Sequence, residues 1–266
     1  MSRNFELMQN LGREREMFEA TAVAAAAGQG TTATVAPEPA VPAAPAPLEL
    51  QPLQLKMEDP QRDEIFKLVQ RVFLLPGAGR GRLVVVSGME SGNGCSWICA
   101  RMAEVLASQV SGSVCVVDAN LRTPGLHREF GVSNHYGLTN ALQVSEPIRR
   151  FVTSLSRPNL WLLSCGAEVE GMQSMLGSDR MRALLPELQR EFDYVLIDAP
   201  PMEAGDDSVM LSRHAEGIVL VLRAHSTRRE TARKAVRDLE HANVRVLGAV
   251  LNRRTFPVPE SIYRKL

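Results

Sequence analysis

The apolar residues of this 266-residue chain follow two spacings. Six short runs rich in β-branched residues stand out: Leu83–Val86, Val114–Val117, Leu160–Leu163, Tyr194–Ile197, Ile218–Leu222 and Val246–Leu251. They are continuous rather than alternating, which predicts strands covered on both faces. Helical spacing separates most of them. The segment DPQRDEIFKLVQRVFLL puts Ile65, Leu68, Val69 and Phe73 on one face. Ile98, Met102, Val105 and Leu106 recur at helical intervals, and Met181, Leu184, Leu185 and Leu188 do much the same. Pro186 marks a kink or a late helix start there, and Thr227 is placed to cap a helix running through Leu239. Buried strands alternating with helices predict an α/β fold, a parallel sheet with helices on both faces. In such sheets ligands bind beyond the carboxyl ends of the strands, so the residues that follow each run are the ones to read for chemistry.

The regular pattern begins near residue 58. Before it, residues 3–20 have a partial apolar stripe (Phe5, Met8, Leu11, Phe18), enough for a short helix but too little to fold alone. Residues 21–47 are rich in Ala, Pro and Thr and nearly uncharged, the composition of an extended linker. The predicted organisation is a short helix at 1–20, a linker at 21–57 and one nucleotide-binding domain at 58–266. A hydrophobic content of 45% supports a sizeable core.

Thirty basic and thirty acidic residues cancel, so no global field points to nucleic acid. The cluster Arg228, Arg229, Arg233, Lys234 and Arg237 is interleaved with Glu230, Asp238 and Glu240 and reads as a solvated helix face. No apolar run approaches the ~18–20 residues that span a bilayer, and the charged N-terminus lacks the apolar core of a signal peptide. A cytoplasmic location is expected, with the inner face of the membrane reached only through a partner. Cys95, Cys99, Cys115 and Cys165 form no CxxC pair or zinc spacing, and Cys115 reads as a small buried hydrophobe.

Three strand ends carry chemistry. After the first run comes SGMESGNGCSW. The phosphate-loop pattern is G-x-x-x-x-G-K-[ST]. Gly94 and Ser96 match it; Met89 stands at the first glycine and Cys95 at the lysine. Gly92, Asn93 and Gly94 can still turn backbone N–H groups inward. A helix opening at Cys95, Ser96 and Trp97 points its positive end at the loop, and the Ser96 hydroxyl suits Mg²⁺. A bland strand-to-helix turn explains this stretch about as well. After the second run come Asp118, Asn120 and Arg122, and after the fourth Asp198, Pro200 and Pro201. One aspartate ending a buried strand can be a helix cap. Two, beside the glycine turn, favour a Mg²⁺–phosphate site. The last run ends at Asn252, whose amide can read an adenine edge or simply form a turn.

Together these residues resemble the bacterial tyrosine autokinases of capsule and exopolysaccharide synthesis, deviant P-loop ATPases related to the partition and division-site ATPases. The resemblance covers roughly residues 58–256. VVDANLRTPGLHREFG matches the family's D-x-D-x-R-x-P-x-x-H through Asp118, Arg122, Pro124 and His127. HYGLTNAL, LIDAPP, EGIVLVLRAHST and VLGAVLN match later segments, and Asp207 fits the aspartate after the two prolines. The resemblance implies a P-loop NTPase-type domain that binds ATP/ADP with Mg²⁺. It implies metal-binding roles for Ser96, Asp118 and Asp198, and catalytic roles for Asp118, Asp198 and Arg122. The nucleotide is expected on Gly92, Asn93, Gly94, Cys95, Ser96, Trp97 and Asn252. The partner implied is the cytoplasmic tail of a membrane polysaccharide chain-length regulator, and a homo-oligomer is a further option.

The departures all touch the reaction. Cys95 replaces the phosphate-binding lysine, and Asn120 replaces the second aspartate. Tyr263 stands alone where the family has a tyrosine-rich tail. The E-x-x-R-x-x-R ring-assembly motif is reduced to Glu64, Lys67 and Gln70. Losing a donor that stabilises transition-state charge costs about 10²–10³ in rate, and a thiolate at Cys95 would also repel phosphate. The leading expectation is a nucleotide-binding regulator of exopolysaccharide assembly with impaired catalysis. The alternatives are an active tyrosine kinase that borrows a cation such as Arg122, and a partition-type positioning ATPase. The last needs a signature lysine, and none occurs between Arg82 and Arg101.

Overall fold

The computed structural model describes residues 59–74 and 82–254, all within one compact unit, Glu49–Leu266. The expected helix at 3–20, most of the linker and Tyr263 lie outside the described residues. In chain order the elements are α1 (Asp59–Phe73), β1 (Arg82–Gly88), α2 (Cys95–Gln109), β2 (Val114–Asp118), α3 (Leu126–Phe130), α4 (Leu138–Gln143), β3 (Thr153–Ser154), β4 (Leu160–Leu163), α5 (Asp179–Glu191), β5 (Tyr194–Ala199), α6 (Asp207–Ser212), β6 (Gly217–Arg223), α7 (Arg229–His241) and β7 (Val246–Asn252). All six runs predicted from the sequence are strands.

The sheet order is β3-β4-β2-β5-β1-β6-β7. Every pairing is parallel except β3 with β4. That antiparallel edge corrects the expectation of a wholly parallel sheet. It is two exposed residues with no apolar pattern to announce it.

Side-chain alternation divides the core in two. Leu83 and Val85 of β1, Cys115 and Val117 of β2, and Val195 and Ile197 of β5 face one cluster, which α4, α5, α6 and α7 cover. Val84 and Val86, Val114 and Val116, and Leu196 face the other, covered by α1, α2 and Leu126 of α3. All these strand residues are fully buried, each contributing roughly 1.5–3 kcal/mol relative to exposure.

One local expectation fails, and so does the late-start alternative of a second. Thr227 does not cap α7; its hydroxyl accepts a hydrogen bond from the Arg223 backbone N–H at 3.0 Å, closing the preceding turn. Pro186 neither delays nor ends α5, which starts at Asp179 with the Ser178 hydroxyl accepting from the Met181 N–H.

Arg101 of α2 is 1% exposed. Its guanidinium pairs with Glu104 on the same helix and with Glu129 on α3, each at 3.2 Å, and lies over the Trp97 ring. It joins the helix after the glycine turn to the helix after Asp118.

Candidate nucleotide and cation site

Adjacent parallel strands bring the two aspartates together: Asp118 and Asp198 are register partners on β2 and β5. Both are fully buried. Asp118 spends one oxygen, Oδ2, on the backbone N–H groups of Gly125 and Leu126, each at 3.0 Å, at the start of α3. Among the described residues its Oδ1 has no hydrogen-bond partner, and neither oxygen of Asp198 has one. The Ser96 hydroxyl and Cys95 thiol face Asp198 and draw its pKa down somewhat. Neither completes a well-formed hydrogen bond to it.

Burial pushes both carboxyls above the ordinary aspartate range, and for Asp118 the neighbouring Asp198 charge adds to the rise. Three orphaned carboxylate oxygens in a buried site are costly unless a proton or cation supplies the missing partner. The donor set fits a hard divalent ion. Among the described residues no three His, Cys, Asp or Glu side chains converge as a complete metal cage. Two carboxylates and a hydroxyl leave places for phosphate oxygens and water, the habit of Mg²⁺.

The glycine loop lies beside this pair. Gly92 and Gly94 adopt left-handed φ values of 76° and 82°. At Gly94 a Cβ would also lie 2.5 Å from the Asn252 amide nitrogen. That amide donates to the Asn93 carbonyl at 2.9 Å, and its oxygen accepts from the Arg253 N–H at 2.8 Å. The Asn93 side chain is buried and donates to Val221 O at 3.2 Å. Gly125 keeps room for Ser96, since a Cβ there would lie 2.6 Å from its hydroxyl. The helix α2 opens at Cys95 with no side-chain cap and no acid in its first turn, leaving its N–H groups free for an anion.

Burial and the Asp198 charge push the Cys95 thiol well above the ordinary cysteine range. A raised thiol pKa disfavours the thiolate, the form that would repel phosphate. Cys99 is raised well above that range for the same reasons, burial first. Cys115 is buried, as its strand context predicts.

Asp118, Asp198, Ser96, Gly92, Asn93, Gly94 and Cys95 form one neighbourhood. The other three predicted site residues are placed differently. The Asn252 amide braces the loop, donating to the Asn93 carbonyl and accepting from the Arg253 N–H. The Trp97 ring packs against Arg101 and the core, leaving only its backbone for an anion. Arg122 is half-exposed and points to Asp207, at 3.9 Å. Sequence reasoning passed over Glu203, whose carboxylate accepts the Ser91 backbone N–H at 2.7 Å. The only signal was an acid following the two prolines.

The ParA family, described as NUBPL iron-transfer P-loop NTPase, matches residues 80–264. The Bacillus subtilis protein named tyrosine-protein kinase YwqD is 32% identical over 64% of this chain and 71% of its own length. A Ralstonia nicotianae protein named putative tyrosine-protein kinase EpsB is 31% identical over 73% of this chain and 26% of its own. The chain spans about a quarter of the length of several such relatives. Among solved structures, the chimerical protein CapA2B2 aligns with a TM-score of 0.67 at 22% identity, covering 73% of this chain and 85% of that one. The kinase domain of Escherichia coli ETK aligns at 0.61 and 24%, covering 70% and 73%. The Pyrococcus furiosus cell division ATPase MinD aligns at 0.56 and 22%, covering 70% and 79%. These likenesses confirm the fold. With the family match over residues 80–264 and the identity to YwqD, they establish that the chain belongs to the ParA-type P-loop NTPases, among relatives named bacterial tyrosine-protein kinases.

Proposed function

We propose that this chain is a nucleotide-binding regulator of exopolysaccharide assembly, built on a tyrosine-kinase P-loop domain whose phosphoryl transfer is impaired. One observation carries the impairment. Where the loop pattern places a lysine, the chain carries Cys95, which has no cationic group to offer a phosphate. The nearest predicted substitute, Arg122, faces Asp207. Backbone N–H groups at 92–97 would hold the phosphates. Asp118, Asp198 and Ser96 would hold Mg²⁺, which would offset phosphate charge there. Binding survives on these groups, while the charge that develops in phosphoryl transfer goes without its side-chain cation.

The domain proposed for this work is 58–266. Among the described residues no helix is long and apolar enough to cross a membrane. The proposed partner is the cytoplasmic tail of a polysaccharide chain-length regulator, met by the amphipathic segment 3–20. Deleting residues 1–20 should weaken co-purification with that membrane machinery and leave the thermal midpoint nearly unchanged.

The test of function is calorimetry with ATP and Mg²⁺, followed by phosphotyrosine analysis of the same sample. Binding without phosphotyrosine is the expected result. Phosphate on tyrosine at a rate that Cys95→Lys does not improve would overturn the impairment.

A further inference from the structure

We propose that Glu203 is an internal anion that opposes phosphate binding at the glycine loop. The proposal rests on the nucleotide-binding reading above and adds a regulator to that site.

The Ser91 N–H belongs to the loop, and a carboxylate already occupies it. The bond to Glu203 Oε1 is 2.7 Å, the length of a charge-assisted contact. The backbone holds the acid in place. Glu203 lies in the short turn Met202–Ala204 that directly follows β5. Its own N–H donates to the Met89 carbonyl at 3.2 Å. The Ser87 hydroxyl donates to Pro200 O at 2.7 Å, stitching the same segment to the end of β1. Glu203 is thus tied to the loop twice, through its backbone at Met89 and through its side chain at Ser91.

The charge goes uncompensated. Among the described residues no Lys or Arg forms an ion pair with Glu203. The loop supplies no cation either, because Cys95 holds the lysine position. An incoming polyphosphate must displace the carboxylate from Ser91 or sit beside a like charge. Glu203 is exposed, so water screens the repulsion and the effect is modest and salt-dependent.

Two variants of the full chain separate charge from contact. Glu203→Gln keeps an acceptor for the Ser91 N–H and removes the charge; Glu203→Ala removes both. Titration with ATP and Mg²⁺ at low and high salt is the measurement, with the thermal midpoint as a check on folding. Glu203→Gln should bind ATP roughly three- to tenfold tighter than wild type at low salt, with the gap narrowing at high salt. If wild type binds ATP and Glu203→Gln binds equally or more weakly, the proposal is overturned while the nucleotide reading stands. A gain confined to Glu203→Ala would make the effect steric and overturn it too. If wild type, Glu203→Gln and the double variant Cys95→Lys/Glu203→Gln all fail to bind while folded, the nucleotide reading falls and takes this proposal with it.

Discussion

At the carboxyl ends of β2 and β5 polar atoms are left over, whereas in the glycine loop beside β1 many are already used. Three of the four oxygens of Asp118 and Asp198 are buried without a partner. In the loop, the Ser91 N–H is taken by Glu203, the Asn93 carbonyl by Asn252, and the Cys95 thiol faces inward. The carboxylate half is incomplete without a proton or a cation. The loop half is braced by the chain's own polar groups and carries Cys95 where the phosphate-loop pattern has lysine.

The sharpest way to break this contrast is to restore the missing charge. Cys95→Lys should raise ATP turnover by about 10²-fold, the scale of one transition-state donor, as read by phosphate release. An unchanged rate would locate the impairment elsewhere. Next in size, Asp198→Asn should weaken the Mg²⁺ dependence of nucleotide binding by at least about tenfold, measured by titrating Mg²⁺ at fixed nucleotide. If that dependence stays intact, the carboxylate half is not the cation site.

The pair also predicts a pH trend. Both aspartates have folded-state pKa values above the unfolded value of 3.8, so the folded chain holds protons that the unfolded chain releases. Their stabilising contribution is full below 3.8 and is lost as pH rises toward about 8, the value for Asp118. Urea unfolding in the presence of a chelator should show stability falling across that window. Asp118→Asn should flatten the trend, and so should added Mg²⁺. In the loop half, Gly94→Ala should cost about 1–2 kcal/mol, because a side chain is strained at its φ and would collide with the Asn252 amide. Adding Asn252→Ala should recover the steric part, and equal destabilisation in the single and double variants would exclude the collision.

The fold was legible because burial on two faces writes long apolar runs into strands. Val84 and Val85 face opposite cores, so neither position tolerates a polar residue. Thr153 and Ser154 carry no such constraint, and their strand went unseen. The aspartate pair was legible for the complementary reason, since charge at the end of a buried run has no packing explanation. The roles of Glu203 and Asn252 were not. Both contacts end on backbone atoms of the loop, and a side-chain pattern does not encode where a distant backbone will lie. Cys95 was recognised as a substitution, but its raised thiol pKa comes from burial and from Asp198, both supplied by tertiary structure.

Arg101 sets the unit in which parts of this protein can be exchanged. It ties α2, which opens at the loop, to Glu129 on α3, whose first N–H groups hold Asp118. A chimera that imports a relative's lysine-bearing loop together with its helix would leave Glu129 facing a stranger. The transplantable module is the pair of helices with Arg101 between them, and a graft that respects it keeps Asp118 in register with the new loop.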